Sequence, residues 1–270
     1  MILKDRTGII IIFLLFLLVS AGFFFNPSRD KEENLSREVL EETTASDKSR
    51  DAFWWLNSGG IFYAGRGGGE TIQGELPAFS KWRIRYYLSN PEDTDSGKRP
   101  QNIFRLITKG HWRNLREEGY FLVTRPNNLN TSNRNASNGL LLLFRYQDED
   151  NSYYAGLRVD WAAVIKKKKD GIYHTLAYEP VLTGNYERTS SPNLLPTGIW
   201  MGLKTEVRTL ENNEVEIKLF SDIGRTGVWQ LLLEVKDSGV GGAPILESGA
   251  GGIRTDFMDV QFSDFKIEEI

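Results

Sequence analysis

The chain contains no cysteine. That excludes disulfides, zinc–thiolate sites and a thiol nucleophile. It leaves export open, because a fold held by its core needs no covalent staple. Histidine is nearly absent as well: His111 and His174 stand too far apart for any metal-ligand spacing. Charge of one sign is lacking, since the net charge is −3, so no global field argues for nucleic acid. There is no G-x-S-x-G elbow. The glycine clusters "GRGGGE" and "GVGGAP" open no helical pattern and are read as surface turns rather than phosphate-binding loops. After residue 50 no helical periodicity of useful length occurs.

What is present begins with a charged start, Lys4 and Arg6, followed by an uncharged apolar run from Gly8 to Phe25. At about 1.5 Å per residue those 18 positions reach roughly 27 Å, close to a bilayer core. Val19-Ser20-Ala21 offers a signal-peptidase site, but the apolar run continues through Phe23, Phe24 and Phe25. The run is therefore taken as an uncleaved signal-anchor, a single transmembrane helix spanning the cell membrane. Lys4 and Arg6 favour an N-terminus that stays inside, with the rest of the chain outside the cytoplasm. Residues 1–25 form this anchor, and residues 26–51 a polar tether with helical character at "NLSREVLEE". Residues 52–270 form one folded domain.

That domain is rich in short alternating runs separated by Gly, Asn, Asp and Pro. Strands are expected near 60–63, 79–88, 103–108, 119–124, 139–146, 153–159, 164–168 and 172–178. Others follow near 200–210, 214–220, 229–235, 252–255 and 257–267. In "EVEIKLF", Val215, Ile217 and Leu219 share one face. In "MDVQFSDFKI" the parity breaks at Ser263–Asp264, which marks a bulge. Asp170-Gly171 is a hairpin signal. Many strands without helices must bury their faces against one another as a sandwich or barrel.

The succession "GLLLLFRYQDEDNSYYAGLRVD", a Lys-rich hairpin, "GIYHTLA", "GIWMGLKTEVR", "EVEIKLF", "GGIRTD" and "MDVQFSDFKI" resembles the concanavalin A-like (laminin G-like) lectin and glucanase superfamily, on its bacterial envelope branch. The resemblance covers residues 53–270. It implies an all-β, two-sheet antiparallel jelly-roll sandwich, but that superfamily holds binders, hydrolases and lyases alike. Its glucanases carry E-x-D-x-x-E, which puts two carboxylates on one strand face; its lyases carry R-x-E-L, Q-I-H and a Tyr base. None of these motifs occurs in this chain. Some members hold a structural calcium through an aspartate near the chain end, which points to Asp259. A second acidic run, Asp93 to Gly97, has half of a calcium loop but lacks the bidentate Glu, since Phe104 occupies its twelfth position. It is taken as an Asx-turn.

Folding "GLLLLFRYQDEDNSYYAGLRVD" about "DEDN" sets Arg145 opposite Tyr154 and Leu141 opposite Arg158. Arg145, Tyr154 and Arg158 then share a face away from the inter-sheet core, and one register of the next hairpin adds Lys166 and Lys168. Arginine donates paired hydrogen bonds to carboxylates and sulfates, and tyrosine stacks on sugar rings. Alternatively, Arg145 and Arg158 pair with acidic neighbours on the adjoining strands. "KKKK" at 166–169 is otherwise a solvated hairpin end, and Trp54, Trp55, Trp161 and Trp200 are core-packing residues or exposed platforms. Asn34, Asn130 and Asn135 lie in N-x-S/T sequons and are treated as polar linker and loop residues. The expectation is a membrane-anchored domain that binds a polysaccharide or other glycan without catalysis. A divergent glycoside hydrolase or a protein-binding adhesion module are the alternatives.

Overall fold

The structure, a computed structural model, describes residues 38–65 and 67–270. Among these residues the strands are β1 Glu38–Glu41, β2 Trp54–Ser58, β3 Ile61–Gly65, β4 Gly68–Thr71, β5 Ile103–Thr108, β6 Leu115–Pro126, β7 Gly139–Tyr146 and β8 Ser152–Arg158. They continue with β9 Ala162–Lys169, β10 Ile172–Pro180, β11 Trp200–Thr209, β12 Val215–Ile223, β13 Gln230–Asp237, β14 Ala250–Asp256 and β15 Met258–Glu269. One α-helix, α1, spans Lys81–Ser89, and short 3-10 turns occur at Ser46–Lys48 and Pro100–Asn102. Two antiparallel sheets form, in the orders β1-β3-β4-β15-β6-β11-β12-β13 and β10-β9-β8-β7-β14-β5-β2. The expected all-β two-sheet sandwich is present.

Period-2 alternation builds the core. On β6, Leu115, Phe121 and Val123 turn inward; on β12, Val215, Ile217 and Leu219 do. They meet Leu140, Leu142 and Phe144 of β7, Tyr153, Ala155 and Leu157 of β8, and Ala163 and Ile165 of β9. Each fully buried Leu or Phe contributes about 2 kcal/mol by removal from water. The Asp170-Gly171 hairpin has both residues at positive φ, 49° and 81°, as a type I′ turn requires. The parity break at Ser263–Asp264 is a register shift, with Asp264 at φ 54°.

Four expectations are corrected. Residues 79–88 do not form a strand. Trp82, Ile84, Tyr86 and Leu88 alternate with other residues and so mimic a strand, yet the segment coils as α1 and buries only Trp82 and Tyr86, one turn apart. These pack with Ile61, Tyr63, Ile72, Leu76 and Ile103. Next, the domain does not start at 52. Glu38–Glu41 pairs antiparallel with β3, Leu40 enters the core, and Glu42 accepts hydrogen bonds from Gly60 N and Tyr86 Oη. The segment 38–51, assigned to the tether with helical character, is thus part of the sandwich. "GRGGGE" is more than a surface turn, since β4 begins within it. Lastly, Lys167 in "KKKK" is not solvated but fully buried. The expected transmembrane helix at 8–25 lies outside the described residues. Among the described residues no helix is long and apolar enough to cross a membrane.

One core position breaks the apolar rule. Glu117 faces inward on β6 and is fully buried. Its Oε1 accepts the Gly252 N–H at 2.7 Å, and its Oε2 has no partner. Burial pushes its carboxyl well above the usual carboxylate range, and the Gly252 hydrogen bond offsets this only in part. The folded state therefore holds a proton that the unfolded chain releases near pH 4.5. The contribution of this group is full below that pH and declines as pH rises toward the folded pKa, by about 1.4 kcal/mol per unit. Glu117→Gln should remove this decline and raise the urea midpoint at pH 8 relative to wild type. A variant with the wild-type pH profile would show that Glu117 is ionised in the fold.

Candidate functional site

The site lies on the outer face of the second sheet. The register sets Leu143 opposite Tyr154 and Gly139 opposite Arg158. The pairing therefore slides by two residues from the expected one, and a slide of two preserves the face. Tyr154 pairs with Lys166, and Lys168 pairs with Ser152 and with Tyr173 of β10. On the other side, β14 places Arg254 opposite Leu141.

Arg145 does not belong to this face. β7 carries one extra residue against β14, because Tyr146 pairs with Ala250 while Leu143 pairs with Gly252. Arg145 sits in that bulge at φ 46° and turns inward, whereas Tyr146 rejoins Leu141 and Leu143 outside. Its guanidinium is fully buried and donates to Arg113 O at 2.8 Å, Ile245 O at 2.7 Å and Thr209 Oγ1 at 2.7 Å. Burial lowers its pKa to about 10. It is a structural cation that joins the two sheets.

Tyr154 and Lys166 line a cleft of about 400 Å³ with Tyr173, Arg254, Asp256 and Asn133. The Tyr154 and Tyr173 rings meet edge to face at 5.9 Å, and the Arg254 guanidinium lies 5.7 Å from the Tyr154 ring. Arg254 Nε donates to Asp256 Oδ1 at 3.0 Å; Asp256 Oδ2 is buried without a partner. Burial opposes the Arg254 charge, but Asp256 and the two tyrosines outweigh it and hold the guanidinium pKa above its ordinary value. Burial raises the Tyr154 phenol. For Tyr173 burial also acts upward, but Arg254 outweighs it and the phenol pKa is lowered. Lys166 is pushed below the usual lysine range by burial, then by Arg158 and Arg254. The wall is a hydrogen-bonded loop: Asp93 accepts from Thr131 Oγ1 at 2.8 Å and Asn133 Nδ2 at 2.9 Å. Asp93 forms no Asx-turn of its own; its carboxylate ties the turn after α1 to the 131–133 loop, and Thr94 Oγ1 takes the Gly97 N–H within the turn.

Arg158 and Lys168 flank the cleft. Arg158 pairs with Asp160 at 2.7 Å and lies over the Tyr178 ring at 5.0 Å. Lys168 donates to Glu149 O at 2.6 Å and lies 5.1 Å from the Tyr173 ring. Arg158 thus pairs with an acid, but with Asp160 two residues on in its own segment rather than on an adjoining strand. Tyr173, Arg254 and Asp256 were missed in the sequence, though alternation in "GGIRTD" puts Arg254 and Asp256 on one face, outside Ile253 and Thr255. Of the tryptophans, Trp161 is buried in the core, Trp54 packs on Phe265, and Trp55 donates its indole N–H to Thr43 O. Trp200 is half-buried with Arg225 over its ring.

Asp259 does not fit calcium. Its Oδ1 accepts Gln101 Nε2 at 2.8 Å and Asn127 Nδ2 at 2.9 Å; its Oδ2 accepts Gly74 N at 2.9 Å and faces Arg125 Nη2 at 2.8 Å. Four N–H donors, one of them cationic, surround both oxygens, whereas calcium requires oxygen ligands. Among the described residues no group of three or more His, Asp or Glu could hold a metal ion.

No protein-family model matches the chain, and no curated protein matches it. Among solved structures it is similar to the carbohydrate binding module CBM66 from Bacillus subtilis, with 13% identity and TM-score 0.49 over 80% of this chain and 94% of that one. It is also similar to the metal-free exoplasmic/lumenal domain of VIP36, with 9% identity and TM-score 0.37 over 85% and 92%. A third is the GH43 protein BlXynB from Bacillus licheniformis, with 11% identity and TM-score 0.38; there the match spans 60% of this chain but only 29% of the other.

Asp259→Ala would leave the Gln101 and Asn127 amides and the Gly74 N–H without their acceptor, and should cost about 3 kcal/mol in urea denaturation. Added calcium should leave the wild-type melting temperature unchanged. A calcium-dependent rise that Asp259→Ala abolishes would restore the metal.

Proposed function

We propose that the domain binds a glycan bearing an acidic group in the Tyr154–Tyr173 cleft and performs no catalysis there. The observation that carries this reading is the joining of two tyrosine rings with Arg254, Lys166 and loop amides in one open cleft. The Tyr173 ring, 47% exposed, offers an apolar face to the C–H face of a sugar, while Tyr154, 5% exposed, backs it; convergent donors and acceptors take hydroxyls. A carboxylate or sulfate would relieve the mutual repulsion that Lys166 suffers from Arg158 and Arg254. The domain is read as standing outside the cytoplasm, tied to the cell membrane by residues 8–25.

A hydrolase is the second reading, favoured by one observation: Asp93 and Asp256 line the same cleft. Both are committed, however. Asp93 is saturated by Thr131, Asn133 and Asn90, and Asp256 is paired with Arg254.

Glycan-array screening of residues 38–270, a unit with its own core, should return uronic-acid or sulfated chains. Tyr173→Ala and Lys166→Ala should each weaken binding about tenfold, the loss of ~1.4 kcal/mol. Affinity should fall as pH rises through the lowered Lys166 pKa, and Lys166→Arg should move that fall to higher pH. Release of reducing ends from a bound glycan would replace the binder with the hydrolase. Wild-type affinity in both variants would remove the cleft from the account.

A further inference from the structure

The helix α1 has two apolar faces. One holds Trp82 and Tyr86 and is buried. At about 100° per residue, Ile84, Tyr87 and Leu88 point the opposite way. They are 51%, 58% and 77% exposed, and Phe79 just before the helix is 96% exposed. Lys81, Arg83 and Arg85 flank this outward face. A surface helix that carries apolar residues outward between basic ones has the character of an interfacial helix. Scattered exposed apolar residues need no explanation, but four within ten residues on one short element do.

The helix is tied to the strand through which the chain enters the fold. Lys81 Nζ lies 2.6 Å from Glu41, Arg85 3.6 Å from Glu42, and Tyr86 Oη 2.5 Å from Glu42. Only the twelve residues 26–37 separate Phe25 from Glu38. Fully extended they span at most about 42 Å. If the apolar run Gly8–Phe25 anchors the chain, a lipid surface lies within that reach of β1, and of the helix beside it.

We infer that the Phe79–Ile84–Tyr87–Leu88 face of α1 rests on the lipid surface next to the anchor, with Lys81, Arg83 and Arg85 at the level of anionic headgroups. The inference relies on the anchor reading but is separate from glycan binding. The pairs Lys81–Glu41 and Arg85–Glu42 involve largely exposed basic ends, are worth little in water, and can be exchanged for lipid phosphates. The turn between β11 and β12 stands at the far end of the sandwich. β11 pairs there with Leu115 at the start of β6, whereas the helix end adjoins the finish of β6 near Asn127 through Asp93 and Asn102.

The absence of cysteine makes the test direct. Leu88→Cys, Phe79→Cys and, as control, Glu211→Cys are introduced one at a time into the full chain and labelled with an environment-sensitive fluorophore. The protein is reconstituted in vesicles of phosphatidylglycerol and phosphatidylethanolamine. Labels at 79 and 88 should shift their emission to the blue, lose quenching by aqueous iodide and gain quenching by lipid-borne nitroxide. The label at 211 should do none of these. Full chain that survives an alkaline wash while all three labels remain open to iodide overturns the docked helix and leaves the anchor standing. A chain stripped by the wash, yet lipid-quenched at 79 and 88 at neutral pH, overturns the anchor and supports the helix contact. A chain that never binds vesicles overturns both.

Discussion

A lysine and an aspartate meet in the dry interior between the sheets. Lys167 Nζ lies 2.7 Å from Asp237 Oδ2, and both side chains are fully buried. Removing either partner would strand a charge, a loss of about 3–5 kcal/mol. The pair is tolerated because each remaining valence is filled. Tyr153 Oη donates to the same oxygen at 2.6 Å, Gly239 and Val240 N–H groups reach Oδ1, and Lys167 donates again to Gly242 O. The network passes on through Ile245, whose N–H donates to Tyr153 Oη and whose carbonyl accepts from Arg145. Strands of both sheets and the "GVGGAP" loop are thereby fixed at one edge of the sandwich. Tyr153 and Lys167 are the chain neighbours of Tyr154 and Lys166. The inward residues hold the strands, and the outward ones present the cleft.

Three other buried ionisable groups sit where the backbone is irregular. Glu117 reaches across from the first sheet to the Gly252 N–H on the second, beside the place where β14 slips its register against β7. Arg145 occupies the bulge of that same slip. Asp259 gathers donors from three loops around the start of β15. In each case irregular backbone leaves donors or acceptors that the ladder does not use, and an ionisable side chain takes them. The price is a core whose stability depends on pH and on every partner remaining in place.

Much of this was legible in the sequence, and the misses have physical causes. The alternation of "EVEIKLF" and the Asp170-Gly171 turn led straight to observed elements. Parity also put Tyr154, Arg158, Lys166 and Lys168 on one face, where they lie. Arg145 failed because one bulge reverses the parity of a single residue, and nothing in "LLLLFRYQ" announces it. Lys167 was recoverable: Ala163, Ile165 and Lys167 share the inward face, but the charge run concealed it. Helix α1 was invisible because its apolar residues occupy both faces, so helical periodicity is erased and a spurious alternation remains. Asp259 shows that an aspartate near the chain end is not by itself a calcium ligand; its donors lie on segments that no local pattern brings together. Arg254 and Asp256 sat in a stretch whose outward parity went unused.

The cleft and the helix are not independent parts of the surface. Ile103 packs with Trp82 and Tyr86 and also lines the cleft. Asp93, in the turn that follows the helix, lines it too and secures Asn133 across the rim. Communication between them would need a segment with two arrangements. The turn offers one: Asn90, Thr131 and Asn133 hold the Asp93 carboxylate, Asn102 holds its carbonyl, and Thr94 Oγ1 caps Gly97 N. A single bonded arrangement transmits position rather than signal. Were the helix seated on lipid as inferred, the cleft would be held at a fixed height above the bilayer, and a glycan bound in it would run or end close to the membrane. The shared support would then narrow the proposed ligand by location where the cleft narrows it by chemistry.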